Sequence, residues 1–312
     1  MIKKKKIVCI GITVLDILVA GVEEGILDRD HTDVESIKCD TGGDALNEAV
    51  ILSVLGHDSI LMGAVGNDFW GEFILKRLKE RGLDTGSVYV HPSLSTITPI
   101  VLIHKNGERS FLVNKKNNVR FDIRCIDREI IARADAVSIG SIYFDAEMDN
   151  SLHGVLSLAK ESGALTFGDI VYRPGNDLEK IKDILPLFDF VLPNYEEAKG
   201  LTGENDIGSI ADAFLKYGVK NVIIKTGEDG CYIKNADEQF TVPAFRVENV
   251  LDTTGAGDSF IAGFIAGILE GQDLKTAARF ANATAAVNVQ GIGATYLKNR
   301  ADVEKLYTIP LR

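Results

Sequence analysis

The sequence predicts an α/β protein: a mostly parallel β-sheet covered by helices on both faces, with a small second β-sheet standing off it. Three observations carry that prediction. From about residue 121 onward, apolar strand-like runs alternate with helix-like segments, the order that builds a parallel sheet with helical crossovers. The first strand-like run is apolar almost throughout, as expected where both faces of a sheet are buried. Two segments, 12–40 and 95–120, break from this pattern: they are extended, of mixed polarity, with little helical periodicity.

Taken in order, residues 6–11 form the buried first strand. The basic start Met1-Ile-Lys-Lys-Lys-Lys6 suits a signal peptide, but Asp16 interrupts the apolar run 7–22 and no small-residue cleavage site follows. No segment reaches the roughly 20 apolar residues needed to span a bilayer. Thr41-Gly-Gly-Asp-Ala-Leu-Asn-Glu-Ala49 opens a helix that runs to Leu55 and stops at Gly56. A strand follows at 59–65, then an amphipathic helix at 68–81 stopped by Gly82. Residues 98–104 and 108–113 are strands around a Lys105-Asn-Gly107 turn, a hairpin signal. This hairpin and the 12–40 segment are expected to share the small sheet.

Beyond residue 121, strands are expected at 134–140, 164–169, 188–193 and 221–226. Helices are expected at 147–162, 195–202, 207–217, 257–271 and 274–289. The last two are rich in small residues, such as Ala262-Gly263, Ala266-Gly267 and Ala285-Ala286. Each mid-helix glycine costs about 1 kcal/mol against alanine. Either close packing on the sheet and a ligand or a tight helix–helix contact would offset it.

The bulk numbers narrow the function classes. The chain has 312 residues, 46% hydrophobic and 25% charged, the balance of an ordinary soluble globule. A net charge of −11 leaves no basic excess for a nucleic acid. Cys9, Cys39, Cys125 and Cys231 stand far apart, without the spacing of a zinc site, and point to free thiols in a reducing cytoplasm.

Chemistry concentrates in Asp252-Thr-Thr-Gly-Ala-Gly-Asp-Ser-Phe260. Gly255, Ala256 and Gly257 leave backbone N–H groups uncovered at the start of a long apolar helix, whose positive end favours an anion. Asp258 follows in the first turn, where a carboxylate is an ordinary cap or, beside a phosphate, a base. Phosphoryl transfer to an alcohol needs both a base and an anion cradle. The loop is not a dinucleotide fingerprint, because Phe260 stands where the third glycine would be, and it is not a Walker A loop.

A second motif lies far upstream: Gly42-Gly-Asp-Ala-Leu-Asn-Glu-Ala49, then Gly56 and Gly66. The two signatures, in this order, resemble those of the ribokinase-like (PfkB-type) carbohydrate kinases, with wording nearest the YdjH-type sugar kinases. The resemblance covers essentially the whole chain. It implies a ribokinase-like three-layer α/β/α core, with residues 1–11, 41–94 and 121–312 as a large nucleotide-binding domain and 12–40 with 95–120 as a β lid. It implies ATP and Mg²⁺ as cofactors, a small-molecule sugar as partner, neither nucleic acid nor membrane, and a homodimer formed through the lid sheet.

By the same resemblance, Asp258 is the base and Gly255, Ala256 and Gly257 the anion hole. Asn194 and Glu197 match an N-x-x-E element that organises Mg²⁺, in the case of Glu197 through water. Thr226, Gly227, Gly230 and Gly257 match nucleotide-phosphate contacts, and Asn282 the residue beside the adenine. Asp16, Gly42, Gly43, Asn47 and Asn114 match sugar contacts, and Asp252 with Thr254 a monovalent-cation site facing the Gly291-Ile-Gly293 turn. Asp16 within an apolar run is also suggestive by itself, because a buried carboxylate requires a partner. Two departures stand out. Asp169-Ile-Val-Tyr-Arg173 replaces the asparagine of the family's D-x-N-x-R with Val171, and Ser141 and Tyr143 stand near the glutamate that ribokinase uses for ribose.

The expected activity is therefore transfer of the ATP γ-phosphoryl group to a sugar or sugar acid. Gly-Gly-Asp-Ala-Leu-Asn resembles the wording of 2-keto-3-deoxygluconate kinases, and Asn114-Lys-Lys-Asn-Asn-Val-Arg120 places cations at the end of the lid hairpin. The alternatives are a nucleoside kinase of the same fold and a catalytically silent sugar-binding regulator.

Overall fold

The computed structural model describes residues 3–105, 109–114 and 116–308. The main sheet forms as the alternation requires. Its first strand, β1 (Lys6–Ile10), is followed by β2 (Val14–Val22) and β3 (Ser36–Gly42), which leave it to build the small sheet. The chain returns through α1 (Asp44–Val54), β4 (Asp58–Gly66), α2 (Phe69–Glu80) and β5 (Val88–His91). A second excursion contains β6 (Ser95–Thr96), β7 (Ile100–His104), β8 (Arg109–Leu112) and β9 (Asn118–Val119). The remainder is α3 (Arg128–Ile131), β10 (Ala136–Ile142), α4 (Ala146–Glu161), β11 (Leu165–Ile170), β12 (Phe190–Val191), α5 (Tyr195–Thr202), α6 (Ile207–Lys216), β13 (Asn221–Lys225), β14 (Cys231–Asn235), β15 (Gln239–Val242), α7 (Ala256–Leu269), α8 (Leu274–Asn288) and α9 (Arg300–Tyr307).

The nine-stranded sheet has the order β15-β14-β13-β12-β11-β10-β1-β4-β5 and is parallel except for the β13–β14–β15 meander at one edge. Successive residues of β1 feed opposite cores. Ile7 and Cys9 pack with α1, α7 and α8, while Val8 and Ile10 pack with α4, α5 and α6. Acidic and amide residues start most of the helices. Asp68, Asp145, Asp206, Asp273, Asn194 and Asn299 each accept from a backbone N–H of the first turn.

The small sheet has the order β3-β2-β7-β8. β2 and β3 pair with Asp16 opposite Asp40, and β2 runs parallel to β7. Its strands come from the two segments expected to form it, with β3 extending two residues past position 40 to Gly42. Asn106 and Gly107 of the expected hairpin turn lie outside the described residues.

Sequence patterns missed β5, the β14–β15 pair and α9. The missed strands are short, at or next to the sheet edges, and only partly buried, so no long apolar run marks them. The small-residue helices owe their glycines to each other. A Cβ on Gly263 would sit 2.6 Å from Thr284 Oγ1, and one on Gly267 would sit 2.9 Å from Ala277 Cα. A tight α7–α8 contact, not a ligand, requires them.

Candidate active site

Both signature motifs open helices at the same end of the sheet, where the parallel strands terminate. α1 starts from Gly43, whose φ of 103° and 2.3 Å approach of a would-be Cβ to the Ile12 carbonyl admit only glycine. This start presents Asp44, Asn47 and Glu48 at i, i+3 and i+4, on one helix face. α7 starts from Gly255 in the left-handed region, φ 70°, where a Cβ would lie 2.2 Å from the Ala294 carbonyl. The turn brings the side chain of Asp258 to α1, while the Ala256 N–H donates to the Thr253 carbonyl at 3.2 Å.

The two helices meet through a hydrogen bond: Asn47 Nδ2 donates to Asp258 Oδ2 at 2.7 Å. Around it lies an unusual concentration of carboxylates. Ser141 Oγ donates to Asp44 Oδ2. Glu48 is fully buried; its Oε2 accepts from Ser138 Oγ at 2.6 Å, while Oε1 has no partner among the described residues. Asp169 at the end of β11 accepts from Lys225 Nζ at 3.2 Å. Burial first, then the Asp44 charge, pushes the Asp258 carboxyl well above the usual range, with the Asn47 hydrogen bond opposing. Burial does the same to Glu48, and burial with the charge of Asp169 also raises the Asp44 carboxyl.

Asn194 and Glu197 form a capping box on α5. Asn194 Oδ1 accepts from the Glu197 N–H at 2.9 Å, and Glu197 Oε2 accepts from the Asn194 N–H at 2.9 Å. Burial, then the neighbouring Asp169, pushes the Glu197 carboxyl up to about 7. Thr226 and Gly227 follow β13 in a short turn closed at Gly230, whose carbonyl accepts from the Thr226 N–H at 2.8 Å. Thr226 Oγ1 and Ser259 Oγ are buried without a partner among the described residues.

Asp252 ties the second wall to the anion loop. Its Oδ1 accepts from the Thr254 N–H at 2.8 Å and from Thr254 Oγ1 at 2.5 Å, and its Oδ2 accepts from the Gly293 N–H at 3.0 Å. On the lid side, Asp16 lies over Gly42, with Oδ2 2.3 Å from where a Cβ would stand. A Cβ there would force the Asp16 side chain to shift.

Two of the expected residues are engaged elsewhere. Asn282 is buried, and its amide donates to the Val242 and Pro243 carbonyls, both at 3.1 Å, which holds the end of β15 against α8. Asn114 is exposed, and its recorded hydrogen bonds stay within its own turn, to Lys116 and Asn118. Lys115 lies outside the described residues. Arg120 reaches the ring of Phe144 at 5.3 Å, and Arg173 reaches the same ring at 4.6 Å. Phe144 itself packs on Ile12, Val14 and Ile97 at the root of the small sheet. Ser141 and Tyr143 beside it hold positive φ values of 62° and 75°, a strained turn of the kind found at binding sites.

Sequence reasoning passed over Asp44, Glu48 and Lys225. The first two show in retrospect as acids on the buried face of a helix. Lys225 is a cation ending a strand whose centre, Val222-Ile-Ile224, is apolar, and its side chain is only 11% exposed. Among the described residues, no helix is long and apolar enough to cross a membrane.

The architecture and the two motifs recur in known proteins. The family model for pfkB family carbohydrate kinases matches residues 4–300. A 2-dehydro-3-deoxygluconokinase of Bacillus subtilis is 32% identical over 259 residues, covering 79% of this chain and 80% of that protein. The structure of Arabidopsis thaliana ribokinase complexed with ribose and ATP superimposes with a TM-score of 0.84 at 25% identity, over 99% of this chain and 100% of that one. A putative ribokinase II from E. coli, in complex with ATP and Mg²⁺, gives 0.83 at 26% identity, over 97% and 99%.

Proposed function

The chain belongs to the pfkB family of carbohydrate kinases, and on that footing we propose that it phosphorylates a sugar acid of six or more carbons, with Asp258 as the base. The enzyme is an ATP-dependent sugar kinase of ribokinase-like fold. The observation that carries the assignment of the base is the Asn47–Asp258 hydrogen bond, which joins the two signatures at the mouth of the anion loop.

The residues fit a magnesium nucleotide. Thr226 Oγ1 and Ser259 Oγ are buried hydroxyls lacking partners among the described residues, and phosphate oxygens would satisfy them. Glu197, raised by burial and by Asp169, gains from a nearby divalent cation, which it would hold through water. Mg²⁺ supplies charge neutralisation across the phosphates when bound. Asn47 orients the Asp258 carboxylate, Asp258 takes the proton of the sugar hydroxyl, and the N–H groups of Gly255, Ala256 and Gly257 receive the charge that develops on the phosphoryl group. Asp16, Gly42, Gly43 and Asn47 hold the sugar, and the lid formed by 12–40 and 95–120 excludes water from the phosphoryl acceptor site. Asp252 and Thr254 with the Gly293 turn form the seat of a monovalent cation, supported by the Asp252–Gly293 hydrogen bond.

Three observations support an acid. Arg120 and Arg173 lean on one ring, that of Phe144; neither guanidinium forms a hydrogen-bonded ion pair among the described residues, and Arg173 acts on the Asp149 carboxyl only at longer range. That ring packs on Val14, the cross-strand partner of Gly42. A 2-dehydro-3-deoxygluconokinase is, by its name, a kinase of a sugar acid. Two guanidiniums beside the sugar loops suit a carboxylate, which they bind in bidentate fashion.

A dimer through the lid is supported by its outer face. Ile17, Val19, Ile37 and Leu112 share that face by register, with Ile37 65% and Leu112 42% exposed. The deciding experiment is a coupled ADP-release screen over sugars, sugar acids and nucleosides. It measures kcat/KM for matched pairs of an aldonic or 2-keto acid and its neutral alcohol. The acid should win; a tenfold preference for the neutral partner, about 1.4 kcal/mol in transition-state binding, would overturn the carboxylate reading and leave the kinase reading standing.

A further inference from the structure

Lys225 has no role in the mechanism above, and its surroundings ask for one. It closes β13 after the apolar run Val222-Ile-Ile224, and its side chain reaches the start of α7. Nζ lies 3.4 Å from where a Cβ on Gly257 would stand, ordinary van der Waals contact, which places the ammonium on the flank of the anion loop. With three donors available, it makes one hydrogen bond among the described residues, 3.2 Å to Asp169 Oδ1. Both side chains are nearly buried, at 11% and 10% exposure.

A buried ion pair is by itself a weak contributor to stability, because desolvation offsets most of the attraction. This pair also lies among further carboxylates. Burial opposes the charge on Lys225, but Asp169, Glu197 and Asp258 outweigh it and keep the group above the usual lysine value. The ammonium is therefore charged, under-coordinated and placed beside the start of α7, where the Ala256 N–H donates to the Thr253 carbonyl at 3.2 Å and the Gly257 N–H has no acceptor among the described residues. Carboxylates alone would repel the phosphates that the loop is built to receive.

We propose that Lys225 is a catalytic residue whose ammonium, resting on Asp169, swings its free donors onto the phosphoryl group in transit between ATP and the sugar. This rests on the kinase reading above. In the step, the sugar oxygen forms its bond to phosphorus as its proton passes to Asp258, and the bond from phosphorus to the β,γ-bridging oxygen breaks to release ADP. Lys225 gives up no proton; it offsets charge on the equatorial phosphoryl oxygens. Asp169 positions it through the 3.2 Å hydrogen bond to its Oδ1.

The test separates this role from simple neutralisation of Asp169. Lys225→Met alone leaves a buried carboxylate unpaired and risks misfolding, so the informative pair is Asp169→Asn against the double variant Asp169→Asn/Lys225→Met. Both have a neutral residue 169 and differ only in the ammonium. Each is assayed for kcat by coupled ADP release, and for sugar and ATP affinity by direct binding. The double variant should turn over at least tenfold more slowly than Asp169→Asn, with sugar affinity unchanged; the loss of one such donor typically costs about 10²–10³ in kcat. Equal kcat values in the two variants would overturn the role of Lys225 while leaving the kinase reading intact. A wild type that phosphorylates no sugar at all would overturn both.

Discussion

Replacing Asp258 by Asn should separate catalysis from stability. The substituted amide keeps the shape of the carboxylate, and with its oxygen turned toward Asn47 Nδ2 it retains the 2.7 Å hydrogen bond that joins α1 to α7. What it loses is the proton acceptor. A positioned base is worth about 10²–10⁴ in rate, roughly 3–5 kcal/mol in the barrier, so kcat should fall by that factor. Stability should move the other way. Burial and the Asp44 and Asp169 charges raise the Asp258 carboxyl, so its ionised form is disfavoured by the fold. A raised acid destabilises the native state as pH climbs above the unfolded value, and at neutral pH the asparagine removes that cost. Each pKa unit relieved is worth about 1.4 kcal/mol, and for a chain of this size 1 kcal/mol moves Tm by about 2 °C. The expected variant is inactive with a Tm at or above that of wild type. The assays are coupled ADP release for kcat, direct titration for sugar and ATP binding, and thermal melts at pH 7. A variant that keeps more than about a tenth of wild-type kcat would refute the assignment of the base. A clear drop in Tm would refute the account of the buried charges.

Glu270, at the end of α7, accepts from Arg300 at 2.6 and 2.8 Å and contacts His57 at 3.1 Å. Burial opposes its charge, but His57 and Arg300 pull the carboxyl from an ordinary 4.5 down to about 2. Its stabilisation, about 2 kcal/mol once solvent screening of this half-buried pair is allowed for, is complete above the unfolded value and is lost as pH falls toward 2. Urea melts should therefore show Glu270→Gln about 2 kcal/mol below wild type at pH 7 and the gap roughly halved by pH 3; a gap independent of pH would count against this pairing. Activity should depend on potassium, because Asp252 holds the Gly293 turn against the anion loop; equal rates in sodium-only and potassium buffers after thorough desalting would dismiss the monovalent site. Ile37→Asp, on the outer face of the small sheet, should yield a monomer by sedimentation; an unchanged assembly state would rule out that face as the contact.

The α/β alternation, the small sheet and the two signatures were legible in the sequence because each rests on short-range rules. Strand and helix periodicity, acidic helix caps and glycines in left-handed turns all act within a few residues, as Asn194–Glu197 and Gly255 illustrate. The family wording added roles to positions such as Asp258 that local rules leave as caps. Tertiary structure decided the rest. Gly263 and Gly267 serve a contact between α7 and α8, which no pattern along either helix can distinguish from a ligand's approach. Asn282 faces inward to the Val242 and Pro243 carbonyls, and Asn114 stays in its own exposed turn. Lys225, Asp44 and Glu48 became candidates only when β13, α1 and α7 converged at one end of the sheet. The charge of a group, and what it can do, depends on desolvation and on neighbours from distant parts of the chain, and those distances exist only in the folded molecule.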